Sequence, residues 1–243
     1  MNQGQTIQPR STPPGRLFVH RRTAEPSAEP QLVRVATKFA EVLDALGLDR
    51  NDPNLVGTEF RVARMYRELF AGLDPGTEPD LRTFPNTEGY TDLVSLTNIS
   101  FYSMCAHHLL PFFGSAHVAY VPGDELVGLS KLARVVDYFA RRPQIQERLT
   151  QQIFEFLEER LRAAGVMVVL QARHLCIEMR GAAKAGLLTT TTAIRGAMTD
   201  EHLQRCFLAQ LSPTGDFSAN LARCGNAACG LATPASIRSN GGF

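Results

Sequence analysis

From Leu32 to Leu48 the apolar residues Leu32, Val35, Ala36, Phe39, Val42, Leu43 and Leu46 recur at three- and four-residue intervals. That is the spacing of one buried helix face, and Gly47 supplies a C-cap. A second helical run spans Thr58 to Ala71, with Val62, Met65, Leu69 and Phe70 on its apolar side and Gly72 as its stop. Residues 74–91 are rich in Pro, Gly, Thr and acids and read as a loop. The period then shortens. Leu93–Tyr102 and His117–Val121 carry strand-forming residues, punctuated by Pro111, Gly114 and Pro122-Gly123. Ser130 suits the N-cap of a helix over Lys131–Arg141 whose Leu132, Val135, Val136 and Phe139 share one face. Pro143 suits the first turn of a longer helix reaching Ala164, with Ile145, Leu149, Ile153, Phe156, Leu157 and Leu161 inside. Beyond Gly165, Val166–Leu170 and His174–Met179 read as strands or one bent strand, and Thr189–Ile194 as a β-branched third. One more helix fits Thr199–Leu211.

The resulting order, β-β-α-α-β-β, predicts an α+β fold: an antiparallel sheet with two long helices on one face, preceded by N-terminal helices. Four regions follow. Residues 1–30, a Pro, Ser, Thr and Arg mixture without apolar periodicity, read as a disordered arm. Residues 31–92 form the helical region and loop, 93–211 the sheet-and-helix domain, and 212–243 a Gly-, Ala-, Ser- and Asn-rich flexible tail. Arg10, Arg16, Arg21 and Arg22 make the arm basic, but Pro9, Pro13 and Pro14 spoil the amphipathic helix of a transit peptide.

Composition narrows the functional classes. The 243 residues, 44% hydrophobic and 20% charged, suffice for one full core with extensions. A net charge of +1 argues against a dedicated nucleic-acid binder. No apolar run is long enough to cross a membrane, and none near Met1 resembles a secretory signal. Five cysteines cannot all pair within one chain, so a reducing cytoplasm is the expected compartment. Cys224 and Cys229 read as free thiols of the tail, since no matching His or Cys pair accompanies them.

Chemistry concentrates at two short stretches, Cys105-Ala106-His107-His108 and His174-Leu175-Cys176. Together they offer two thiolates and three imidazoles, the donors that hold a tetrahedral zinc. Two thiolates and one imidazole leave a fourth position open, the arrangement of a catalytic site that acidifies a water molecule. Each residue alone has an ordinary alternative: His174 as a hydrogen-bonded core histidine, Cys105 and Cys176 as buried thiols. Lys131 with Arg134 could equally be a surface pair, and Arg61, Arg64 and Arg67 an exposed helical stripe. His117 and His202 read as structural or solvent-facing.

Five motifs in order carry a family resemblance: Arg61-Val62-Ala63-Arg64-Met65; Ser103–Phe112 around the first cluster; Gly128-Leu129-Ser130-Lys131-Leu132-Ala133-Arg134; Gln144–Thr150; and His174-Leu175-Cys176 with Met179-Arg180-Gly181. Over residues 32–198 the chain resembles GTP cyclohydrolase I. The resemblance implies a tunnelling fold and a decamer of two face-to-face pentamers, with active sites between subunits. It also implies conversion of GTP to formate and 7,8-dihydroneopterin triphosphate, the first step of tetrahydrofolate and pterin biosynthesis. Carried over by motif, the zinc ligands are Cys105, His108 and Cys176, and His107 and His174 move protons. Ser130 is a further proton carrier on the ribose. Glu147 holds the guanine edge. Lys131, Arg134 and Arg180, beside Ser130, grip the triphosphate, joined by Arg61 and Arg64 of an adjacent subunit.

The chemistry agrees with those roles. Purine C8 is a poor electrophile until N7 is protonated, which calls for a histidine beside the metal. Clustered Arg and Lys suit a triphosphate. A carboxylate accepting from guanine N1–H and the 2-amino group rejects adenine. The chain departs from the family pattern at Ala106, in place of Glu, at Thr58-Glu59-Phe60, and at Ala182, Leu187 and Cys206. Ala106 and Leu187 motivate an alternative, a paralogue that opens a purine or GTP ring but stops early or serves a specialised pathway. A non-catalytic subunit is the third reading, against which the retained Cys and His residues argue.

Overall fold

The computed structural model describes residues 30–211; the rest of the expected arm and the expected tail, with Cys224 and Cys229, lie outside the described residues. Two compact units divide at Ala63/Arg64.

In the first unit, α1 (Pro30–Ala45) packs Leu32 and Ala36 against Ala63, with Val35 and Phe60 at the margin. Gly47, at φ 71°, takes the left-handed conformation expected after the helix. The apolar stripe is longer than its cover: Val42 and Leu46 are 47% and 69% exposed. Helix α2 (Thr58–Leu69) spans the division and ends two residues earlier than its pattern suggests. Met65, expected inside, is exposed.

The second unit begins with two short 3-10 turns, Ala71–Leu73 and Pro75–Thr77, inside and beside what the sequence reads as loop. Gly72 is required there: a Cβ would lie 2.0 Å from the Tyr138 carbonyl oxygen. Strand β1 (Thr83–Pro85), also within the expected loop, pairs antiparallel with β4 (Glu125–Val127).

The main sheet has five strands in the order β5-β2-β3-β6-β7. Strands β2 (Val94–Cys105), β3 (Pro111–Val121), β6 (Gly165–His174) and β7 (Thr189–Gly196) are antiparallel neighbours. β5 (Pro143–Gln144) runs parallel to the end of β2, with Met104 opposite Pro143 and Cys105 opposite Gln144. Proline, lacking an N–H, is tolerated at a strand start. Extension at 143–144 is why the following helix starts later than expected.

Alternation sorts the strands' side chains. Phe112, Ala116, Val118 and Tyr120 of β3, with Val166, Val168, Leu170 and Ala172 of β6, form one core with α3 (Leu129–Ala140) and α4 (Gln146–Leu161). The helices contribute Leu132, Val135, Val136 and Phe139, and Leu149, Ile153, Leu157 and Leu161, the stripes read from the sequence. Each such burial stabilises the fold by about 1.5–3 kcal/mol. Ile145 is the exception, precedes α4 and is exposed. The opposite parity, Ala119, Met167 and Val169, packs with Met198 and with Phe207 of α6 (Glu201–Ala209), so helical cover is not confined to one face.

Two local expectations fail. α3 is capped by Gly128, whose N–H donates to the Arg82 carbonyl 3.4 Å away, and Ser130 lies inside the helix. The β4 ladder delivers the chain directly into α3, leaving no room for a later start. Likewise β6 ends at His174, and residues expected to continue as strand form the short α5 (Leu175–Glu178). The class is α+β, as expected. No helix among the described residues is long and apolar enough to cross a membrane.

Candidate metal centre

Cys105 is the last residue of β2, and the turn after it folds back on itself. The Cys105 carbonyl accepts from the N–H groups of His108 (3.3 Å) and Leu109 (2.8 Å), and its own N–H donates to the Leu110 carbonyl (2.8 Å). Leu109 completes the turn at φ 51°. The register of β3 against β6 places Phe112 opposite His174, which brings His174-Leu175-Cys176 beside this turn. Sheet pairing thus closes a separation that the sequence spreads over two motifs.

The ligand atoms of Cys105, His108 and Cys176 lie within 4.8 Å of one another. Cys105 Sγ is 3.8 Å from His108 Nδ1 and 3.9 Å from His107 Nδ1. Zinc–sulfur and zinc–nitrogen bonds in a tetrahedron require ligand separations of about 3.5–3.8 Å, a modest contraction of this triangle. Burial, and then the neighbouring Cys105 thiol, push the Cys176 thiol up; the charge of Arg180 pulls it down. Two thiols this close resist joint ionisation until a cation compensates them. Two sulfurs and one imidazole form a soft donor set suited to zinc.

His174 is fixed by a ring stack and a hydrogen bond. Its ring stacks on Phe112 with centroids 4.7 Å apart and planes within 1°. Its Nε2 lies 2.8 Å from Gln146 Oε1. Burial lowers its pKa, against which the carboxylates of Glu147 and Glu178 act. Glu178 is itself held by the Arg173 guanidinium in two bonds of 2.9 and 2.6 Å, pinning α5 to the end of β6.

Short β5 links the metal turn to α4. The Ala106 N–H donates to the Gln144 carbonyl (2.8 Å). The Gln144 side chain donates to the Phe139 carbonyl (2.9 Å) and to Gln152 (2.8 Å), and accepts from Arg148 (2.8 Å). Glu147, exposed, follows in the first turn of α4. Ser130 is exposed in the first turn of α3. Lys131 and Arg134 line a cleft of about 540 Å³ between α3 and residues 71–82, together with Arg82 and Arg141 and with the carboxylates Glu78, Asp80 and Asp137. Arg180 is exposed and close enough to influence the Cys176 thiol. Arg61 is committed within its own unit, donating to the carbonyls of Val56 (2.8 Å) and Asn54 (3.2 Å). Arg64 is exposed on α2.

Sequence reasoning missed the buried polar residues behind this site: Gln144, Gln146 and Thr150. A signal existed. Gln146 and Thr150 continue, at helical spacing, the stripe of Ile153, Leu157 and Leu161, so two polar residues occupy core positions. Of the departures from the family pattern, Ala106 and Leu187 are exposed, whereas Cys206 is buried on α6 with its sulfur 3.6 Å from His202 Nε2.

Comparison with known proteins identifies the family. The family model described as GTP cyclohydrolase I matches residues 35–212. A GTP cyclohydrolase 1 of Rhodopirellula baltica is 48% identical over 182 residues, covering 74% of this chain and 78% of that protein. One from Carboxydothermus hydrogenoformans is 51% identical over 169 residues, covering 69% and 86%. Among solved structures, an archaeosine synthase QueF-like protein in its apo form matches with a TM-score of 0.35 and 19% identity, over 43% of this chain and 94% of that one.

Proposed function

This chain belongs to the GTP cyclohydrolase I family, and we propose that it converts GTP and water to formate and 7,8-dihydroneopterin triphosphate at a zinc ion held by Cys105, His108 and Cys176. The observation that carries the proposal is the convergence of those three donors, within 4.8 Å, at the strand ends that also present His174. Bound there, zinc supplies Lewis acidity that makes water a competent nucleophile near neutral pH.

The protein's own residues do the rest. His107 and His174 stand beside the ligands and move protons to and from the purine N7 and the opening ring. Glu147, whose charge is felt at His174, accepts from guanine N1–H and the 2-amino group together. Lys131 and Arg134, one helical turn apart beside a cleft, hold the triphosphate with Arg180, and Ser130 at the start of the same helix carries a proton along the ribose. Arg61 and Arg64 complete the grip from a neighbouring copy.

The finer assembly belongs to the same proposal: a tunnelling fold closed as a decamer of two pentamers. The sheet supports it. β5 pairs with only the last two residues of β2, and β7 is the other edge strand, so two long edges stand ready for further pairing. Residues 93–211 form the catalytic domain, and thiolate ligands suit the reducing cytoplasm. The product feeds tetrahydrofolate and pterin synthesis.

Ala106 and Leu187 leave the donor set intact, so full turnover is favoured over a ring-opening paralogue or a non-catalytic subunit. Incubation of the purified protein with zinc and GTP, followed by mass identification of products, tests this. Formate with dihydroneopterin triphosphate is expected. Accumulation of a formamidopyrimidine, or no formate with zinc bound, overturns the reading.

A further inference from the structure

The hydrogen bonds around Gln146 have only one consistent direction. Gln146 is 2% exposed. Its side-chain nitrogen reaches three acceptors, the Leu170 carbonyl (3.1 Å), the Thr189 carbonyl (3.0 Å) and Thr191 Oγ1 (3.1 Å). Carbonyl oxygens accept and never donate, so the amide nitrogen must face them and Oε1 must face His174. The hydroxyls agree. Thr150 Oγ1 donates to the Gln146 carbonyl (2.9 Å), so the 2.6 Å contact between Thr150 and Thr191 is donated by Thr191. Thr191 then keeps lone pairs for the Gln146 amide. With an oxygen 2.8 Å away, His174 Nε2 must carry a proton.

We infer that Gln146 is a positioning residue that locks His174 in the Nε2–H tautomer, leaving Nδ1 as the nitrogen that exchanges protons with substrate. The Phe112 ring, parallel at 4.7 Å, prevents the imidazole from tilting out of this arrangement. During turnover Nε2 keeps its proton and goes on donating it to Gln146 Oε1. A proton arriving at Nδ1 leaves from Nδ1, so the ring returns to its starting state without rotating. Gln146 touches no reacting atom; it acts through His174, with Leu170, Thr189 and Thr191 behind it. This inference rests on the functional reading above, but its first test does not need turnover.

That test is the 15N spectrum of zinc-loaded protein labelled at histidine, with the His174 signals assigned by their loss in His174→Ala. The expected result is a protonated Nε2 and an unprotonated Nδ1; the opposite tautomer overturns the inference. Kinetics give the second arm. Gln146→Leu should lower kcat by about 10- to 100-fold, with KM for GTP and zinc content little changed. Gln146→Glu, which keeps an acceptor oxygen for Nε2 and whose second oxygen must be protonated to face the Leu170 and Thr189 carbonyls, should recover part of that loss. Equal kcat in wild type and Gln146→Leu, or a KM effect as large as the kcat effect, overturns the positioning role. Should Gln146→Leu fail to fold, the wild-type spectrum still decides. Wild type that releases no formate yet displays the expected tautomer would instead remove the functional reading.

Discussion

His174 and His117 sit on adjacent strands of one sheet, and burial lowers the pKa of both, yet their nitrogens are used in opposite ways. At the sheet's end, His174 Nε2 lies 2.8 Å from Gln146 Oε1, and in the mechanism we propose it donates there and leaves Nδ1 for chemistry. In mid-sheet, His117 Nδ1 accepts the Asn98 N–H (3.2 Å), at a bulge between Leu96 and Ile99 where Asn98 adopts φ 58°. Its Nε2 is buried without a hydrogen-bond partner among the described residues. One imidazole has its donor anchored and its lone pair available; the other has its lone pair consumed and its donor idle. Burial alone therefore does not mark a catalytic histidine. In the proposed mechanism the direction of the anchoring bond does.

Substitutions can break or sharpen that contrast. The largest effect is expected from Cys176→Ala, which should remove bound zinc and formate release together; metal analysis with undiminished turnover would disprove the ligand assignment. His174→Ala should keep the metal and cost about 10²- to 10⁴-fold in kcat, measured by formate release. Glu147→Gln, one residue from the anchor, should reduce the preference for GTP over ATP by at least about tenfold, read as a ratio of kcat/KM values. At the other histidine the loss should be structural. His117→Leu leaves the Asn98 N–H unpartnered and should cost about 1–3 kcal/mol, seen as a lower melting temperature with kcat unchanged.

The smallest expected effect is a pH dependence of stability. Because His117 titrates lower when folded than when unfolded, the unfolded chain takes up its proton first as pH falls. The neutral histidine's contribution is present above the ordinary value of 6.5 and is lost as pH falls below it. Urea unfolding at pH 7.5 and 5.5 should show wild type losing more stability than His117→Leu, by no more than about 1.4 kcal/mol per pH unit.

Much of this fold was legible because period and burial agree. The stripes of α3 and, from Leu149 onward, of α4 are core residues where expected. The two Cys- and His-bearing stretches were legible as candidate donors, and it was the family resemblance that singled out Cys105, His108 and Cys176 among them. What was hidden depends on pairing between distant segments. Pro143–Gln144 reads as a helix start until β2 captures it, and residues after His174 read as strand until the chain turns at the end of the ladder. Ser130 looks like a cap because capping is local, whereas Gly128 is chosen by the β4 ladder. Gln146 was hidden differently: polar residues on an apolar stripe gain meaning only once their partners on β6 and β7 are known.

The tie between Ala106 and Gln144 is made by main-chain atoms alone, and the methyl group at 106 points away into solvent. The frame of the ion's pocket is thereby indifferent to which side chain occupies that rim position. A replacement there that keeps the main-chain N–H leaves this tie between the turn and β5 as it is.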